Sequence, residues 1–180
     1  MPSTPDDLSR LLAPTYLDDV GDLAVDDIRR MRAECQEAEA SLSYLRRLIQ
    51  GRIDIVHAYL GRPEGSEAPD LSSVVDNLAG ILAGPGRPSG PGHNPVLHTP
   101  DTEDMAELTT ELDTVLGIDE IGRLGDLDDE ALRSLAGRLS ELETRVSAER
   151  HGLHERIDTL QAELVERHKT GRASVDGLLS

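Results

Sequence analysis

The chain has 180 residues, a length for one domain with loose appendages. Apolar residues make up 37%, with no Trp, no Phe and three Tyr, which disfavours a thick aromatic core and suits thin helix-on-helix seams. A net charge of −17 argues against nonspecific nucleic-acid binding, which needs clustered Lys and Arg, and points instead to a basic protein partner.

In chain order, residues 1–22 are acidic and polar and are read as a mobile segment. Their first ten residues lack the basic-then-apolar pattern of a secretory signal. No apolar run approaches the ~20 residues that span a bilayer, so a cytoplasmic protein with no membrane contact is expected. A first long helix is predicted over residues 23–61, with Asp22 as N-cap and Gly61 and Pro63 as the stop. Its apolar residues Ile28, Met31, Cys35, Ala38, Leu42, Leu45 and Ile49 alternate in steps of three and four, a coiled-coil heptad. The pattern continues less regularly through Ile53, Val56 and Leu60. Cys35 is the lone cysteine and reads as a small buried hydrophobe.

Residues 62–126 form an acidic, Gly/Pro-rich connector. Within it, residues 71–83 and 102–116 are predicted as short helices, and residues 84–100 as a flexible linker. A second long helix is predicted over residues 127–170, with Asp128, Asp129 and Glu130 in its first turn complementing the helix dipole. Its seam is Leu132, Leu135, Leu139, Leu142, Val146, Leu153, Ile157, Leu160 and Leu164, interrupted at Glu149. Residues 171–180 are a tail. The predicted fold is all-α: an antiparallel two-helix coiled coil with a long connector containing short helices.

A shift of 104 residues superposes the two long helices without a gap. Gly21-Asp22-Leu23 matches Gly125-Asp126-Leu127, and Arg52-Ile53-Asp54 matches Arg156-Ile157-Asp158. Between them, Glu39, Ser43, Arg46, Gln50 and Asp54 match Glu143, Ser147, Arg150, His154 and Asp158. At about 100° per residue the five offsets fall within an arc of roughly 80°, a polar stripe about 22 Å long. Each stripe residue directly follows a seam position, so the stripe edges the seam, and antiparallel packing would bring both stripes onto one face.

The stripe chemistry fits a two-fold, guanine-rich ligand with phosphates. Arg presents a planar fork suited to phosphate or to the O6/N7 edge of guanine. A carboxylate accepts from guanine N1–H and N2–H, while Ser, Gln and His reach ribose or phosphate. The bland alternative is a solvated coiled-coil flank with i,i+4 pairs. A five-point stripe repeated at fixed offset favours the ligand.

This doubled motif, E-x3-S-x2-R-x3-[Q/H]-x3-D, resembles that of the RsiG family of anti-sigma factors from actinobacteria, over both long helices. The resemblance implies two molecules of cyclic di-GMP bound on the motif face and sequestration of a sporulation sigma factor of the WhiG type. By position it implies that Arg46, Asp54, Arg150 and Asp158 read guanine edges and phosphates. Glu39, Ser43, Gln50, Glu143, Ser147 and His154 would complete the contacts. His154 departs from the pattern, which has Gln there, so the proton on its ring matters.

No catalytic constellation is found. The chain lacks a P-loop, a G-x-S-x-G motif and the GGDEF and EAL signatures of enzymes that make or degrade cyclic di-GMP. His151 and His154 could share a metal with Glu155, but such spacing is common on polar helices, and no metal site is assigned. The alternatives are a ligand-free structural scaffold and an acidic protein-interaction module that mimics DNA.

Overall fold

The computed structural model describes residues 5–61 and 102–170. In order, the chain forms α1 (Pro5–Leu12), two 3-10 turns (Pro14–Leu17 and Val20–Asp22), and the long helix α2 (Val25–Leu60). There follow α3 (Thr102–Val115), the one-turn helix α4 (Ile118–Ile121), a 3-10 turn (Leu124–Asp126), and the long helix α5 (Asp129–Lys169). The described chain is all-α, and the two long helices pack against each other as predicted. The predicted helix 71–83 and linker 84–100 lie outside the described residues.

The heptad pattern explains the packing. Ile28, Cys35, Ala38, Leu42, Leu45 and Ile49 are buried on α2, and Leu132, Leu135, Leu139, Leu142, Val146, Leu153 and Leu160 on α5. Each such leucine is worth about 1.5–3 kcal/mol of burial, which is the main stabilisation available without Trp or Phe.

The contacts cluster into two compact units, residues 1–42 with 148–180, and residues 43–147. Each unit thus joins the N-terminal part of one long helix to the C-terminal part of the other. In the first unit Arg32 on α2 bonds Gln161 on α5, and Glu39 bonds Arg150, so the helices run antiparallel there.

The repeat is longer than the matched residues indicate. Under the same shift of 104, Pro14–Leu17 becomes Ile118–Ile121, Val20–Asp22 becomes Leu124–Asp126, and the start of α2 at Val25 becomes the start of α5 at Asp129. Two arginines tie the short helices to the long ones at equivalent places. Arg156 donates from Nη2 to the Leu12 carbonyl at 2.6 Å. Arg52, only 7% exposed, donates to the carbonyl of the equivalent Leu116 and also binds Asp113 at 2.6 Å. Gly152 lies close under α1: a Cβ there would stand 3.0 Å from Leu12 Cδ2, so that side chain would have to shift by a few tenths of an ångström.

Two expectations are corrected. Residues 1–22 were expected to be mobile, yet Pro5–Leu12 is helical and Leu11 and Val20 are buried. The reason is tertiary: Arg156 and Arg167 take up backbone carbonyls of this segment, which local sequence does not announce. Asp22 is also not the cap of α2. It closes a 3-10 turn, Leu23 is extended, and the helix begins at Val25. Arg167 fixes this shape by donating to the carbonyls of Val20 at 2.8 Å and Gly21 at 2.9 Å, and to that of Leu23. On α5, by contrast, Asp128 does cap, accepting from the Ala131 N–H at 2.8 Å.

Cys35 is fully buried, and its Sγ donates to Tyr16 Oη at 3.9 Å. Burial raises the thiol above its ordinary value of 9.0, and burial with the adjoining Cys35 raises the Tyr16 hydroxyl above 10.0. The folded protein therefore keeps protons that the unfolded chain surrenders, and the stabilisation is full below the unfolded values and lost above them. Urea unfolding should show a midpoint that is flat to about pH 9 and falls beyond it. The double variant Cys35→Ala, Tyr16→Phe should flatten that fall, and an unchanged slope would refute the assignment.

Candidate functional site

The stripe residues sort into one cluster per unit, and each cluster draws on both motifs. In the first unit, Arg150 Nη1 donates to Glu39 Oε1 at 3.2 Å. His154 Nε2 stands 3.1 Å from the same oxygen and 3.2 Å from Arg150 Nη1. Asp158 is exposed one turn further along α5. In the second unit, Arg46 Nε donates to Glu143 Oε1 at 2.7 Å, and Ser147 Oγ donates to the same oxygen at 2.9 Å. Ser43 and Gln50 are half-buried beside Arg46 on α2, and Asp54 is exposed.

The two ion pairs are the same pair under the repeat. Arg46 matches Arg150, and Glu143 matches Glu39, so the arginine of each motif is held by the glutamate of the other. This exchange follows from antiparallel packing of two copies of one pattern, because each stripe edges its own seam. The paired groups are neither sealed nor free: Arg46 and Glu143 side chains are 35% and 22% exposed, and Arg150 and Glu39 are 31% and 19% exposed. Such pairs hold a side chain in place but add little stability, about 0–1 kcal/mol. The Arg150 Nε–H is buried with no hydrogen-bond partner among the described residues, a donor left over by the present geometry.

The chemistry available is therefore repeated in both units. Each cluster presents a pre-oriented guanidinium, a carboxylate that fixes it and an exposed aspartate about two turns away; the first adds His154 and the second Ser43, Ser147 and Gln50. This is recognition chemistry. His151, the other histidine near the motif, lies 3.6 Å from Glu155 on the exposed side of α5.

Sequence reasoning missed Arg52, Arg156 and Arg167. The first two were visible as one half of the repeated Arg-Ile-Asp triplet, but their task, holding the carbonyls of Leu116 and Leu12, depends on short helices distant in sequence. Arg167 has no counterpart in the first repeat, where Pro63 stands, so the repeat gave no signal for it.

A duplicated helical scaffold with recognition groups along its seam defines a regulatory binding protein. The RsiG-like family model matches residues 14–82 and 119–180, and the chain belongs to that family. The two matched stretches begin at nearly equivalent points of the two repeats. Curated proteins return no match. Membership gives the chain an anti-sigma factor role with a sigma factor as its partner, and the family is a regulatory kind of protein. No helix among the described residues is long and apolar enough to cross a membrane.

The geometry separates two kinds of arginine. Arg46→Ala should lower unfolding free energy by no more than about 1 kcal/mol, since it removes a half-exposed pair. Arg52→Ala should cost about 1–3 kcal/mol, since it leaves a buried carbonyl without its donor. Urea titrations of the two variants check the order, and equal losses would contradict it.

Proposed function

We propose that this anti-sigma factor is switched by cyclic di-GMP, two molecules of which bind on the motif stripes. Loaded, it sequesters a sporulation sigma factor of the WhiG type in the cytoplasm and so blocks transcription. The observation that carries the reading is the exchanged pair of arginines, each set in a repeat-equivalent place by the other motif's glutamate.

The chemistry runs as follows. Asp54 and Asp158 accept from guanine N1–H and N2–H, which adenine cannot supply. Arg46 and Arg150 turn their spare donors to the O6/N7 edge or to phosphate. Glu39 and Glu143 keep the guanidinium groups aimed before the nucleotide arrives, which lowers the ordering cost of binding. Ser43, Ser147, Gln50 and His154 complete the polar lining. His154 can donate to Glu39 from Nε2 or, with the proton on the other nitrogen, accept from Arg150; Gln50 offers both functions at once.

A nucleotide that lies between the helices and a partner raises partner affinity only through contacts made in the joined state. The linkage is reciprocal, so the sigma factor tightens nucleotide binding by the same factor.

Calorimetry tests the ligand. Wild-type protein should bind cyclic di-GMP and bind cyclic di-AMP far more weakly. Each of Asp54→Ala and Asp158→Ala should remove about 1.5–3 kcal/mol per lost charge-assisted bond, roughly ten- to a hundredfold in affinity, with circular dichroism unchanged. Equal affinity for the two nucleotides, or normal binding by both variants, would leave the stripe a solvated flank of a scaffold.

A further inference from the structure

The repeat supplies a comparison within one chain for the stripe position where the two motifs differ in chemistry, Gln50 against His154. In the second unit Arg46 meets the carboxylate of Glu143 through Nε at 2.7 Å, so its two terminal nitrogens stay out of that pair. In the first unit Arg150 meets Glu39 through Nη1 at 3.2 Å, and the same nitrogen lies 3.2 Å from His154 Nε2. The Arg150 Nε–H is buried and has no hydrogen-bond partner among the described residues. The two arginines are thus gripped differently at equivalent places, and the difference goes with the histidine.

His154 Nε2 also stands 3.1 Å from the Glu39 oxygen that Arg150 uses. A neutral imidazole cannot suit both neighbours from one nitrogen. With its proton on Nδ1 it accepts from Arg150 and turns a lone pair on the carboxylate. With its proton on Nε2 it donates to Glu39 and turns an N–H on the guanidinium. A doubly protonated ring donates to Glu39 with its charge matched, and leaves Arg150 with a cation beside it and no acceptor at His154. Arg150 is then driven toward the grip seen for Arg46, with Nε on the carboxylate. That grip satisfies its orphaned Nε–H and leaves both terminal nitrogens for a ligand. The charged and titratable groups around the ring are Glu39 from α2 and, on α5 itself, Arg150, His151, Glu155 and Asp158. His151 lies against Glu155 at 3.6 Å, and Asp158 is exposed.

We propose that the first unit's cluster is proton-linked and the second unit's is not: protonation of His154 releases Arg150 to the nucleotide, so cyclic di-GMP binds the first motif more tightly as pH falls. This inference rests on the nucleotide reading above and adds a regulation to it. The sign follows from charge. Histidine ordinarily changes charge between about pH 5 and 8, whereas the phosphodiesters of the ligand keep theirs over that range. An anion beside the ring favours the imidazolium, so binding takes up a proton, and by reciprocity a falling pH tightens binding. The gain is complete once the ring of the free protein is charged, and absent where the ring of the loaded protein is neutral. Gln50 does not titrate, so the second motif has no such link at that position.

The test is calorimetry of the full chain with cyclic di-GMP from about pH 8 down to about pH 6, in buffers of different ionisation heat, which reads affinity and proton uptake together. Wild type should gain roughly three- to tenfold in affinity at one site across that window, with net proton uptake; tenfold corresponds to about one unit between the ring's proton affinities in the free and loaded forms. His154→Gln gives the first cluster the side chain of the second, and its affinity should no longer follow pH. His151→Gln, outside the stripe, should keep the dependence, and Gln50→His should add a second proton-linked step. The three side chains are exposed or half-buried, so circular dichroism should show intact helices throughout. A wild-type affinity that is flat with pH, a His154→Gln variant that keeps the wild-type slope, or loss of the slope in His151→Gln would each overturn the proton link and leave the nucleotide reading standing. Absence of cyclic di-GMP binding at every pH would remove both.

Discussion

Everything in this protein hangs on a seam one side chain wide. With no Trp and no Phe, the long helices hold together by Leu, Ile, Val and Ala meeting along heptad positions, and among the described residues the buried side chains beyond them come from the short segments flanking that seam. A seam so thin leaves its edges half in water. That is why the positions directly after Ala38, Leu42, Leu45 and Ile49 can carry Glu, Ser, Arg and Gln at intermediate exposure. A thicker fold would bury these groups and demand full pairing, or expose them and lose their fixed geometry.

The thinness also explains the supporting arginines. A two-helix seam cannot by itself hold short helices against its flanks. Arg52 and Arg156 do so by placing guanidinium donors on the carbonyls at which those helices end. A helix terminus leaves carbonyls without intrahelical partners, and a long cationic side chain from a neighbouring helix satisfies them. Leu112 and Leu116 beside these contacts are buried.

How much of this could be read from the sequence depends on what kind of signal each feature leaves. The seam, the long helices and the stripe were legible because a period of seven and a shift of 104 residues are written in residue types. The N-terminal helix was missed although Leu8, Leu11 and Leu12 stand at i, i+3 and i+4, because eight residues are too short to form a helix unaided and its docking depends on Arg156, far along the chain. The upstream part of the repeat was hidden for another reason. Pro14-Thr-Tyr-Leu and Ile118-Asp-Glu-Ile share no pattern, yet both make one tight turn before a 3-10 turn and a long helix. Backbone shape there survives because short turns are set by the elements they join. The start of α2 was misplaced for the same reason, as Asp22 has the chemistry of a cap but Arg167 holds that stretch out of the helix.

Duplication within one chain, unlike a symmetric dimer, lets the two copies diverge. The exchanged Arg–Glu pairs are kept in both units. Differences run along both long helices, as at Leu45 against Glu149 and Leu48 against Gly152, and also stand before them: Tyr16 against Glu120 and Ala24 against the capping Asp128. Within the stripe the one chemical change is Gln50 against His154, which sits between Glu39 and Arg150 and can satisfy only one of them from Nε2 at a time. Under the proposed function, one chain recognises both a two-fold nucleotide and an asymmetric macromolecule, and these demands conflict. Two copies in one chain reconcile them, with the exchanged pairs constrained to stay alike and the positions around them free to become different.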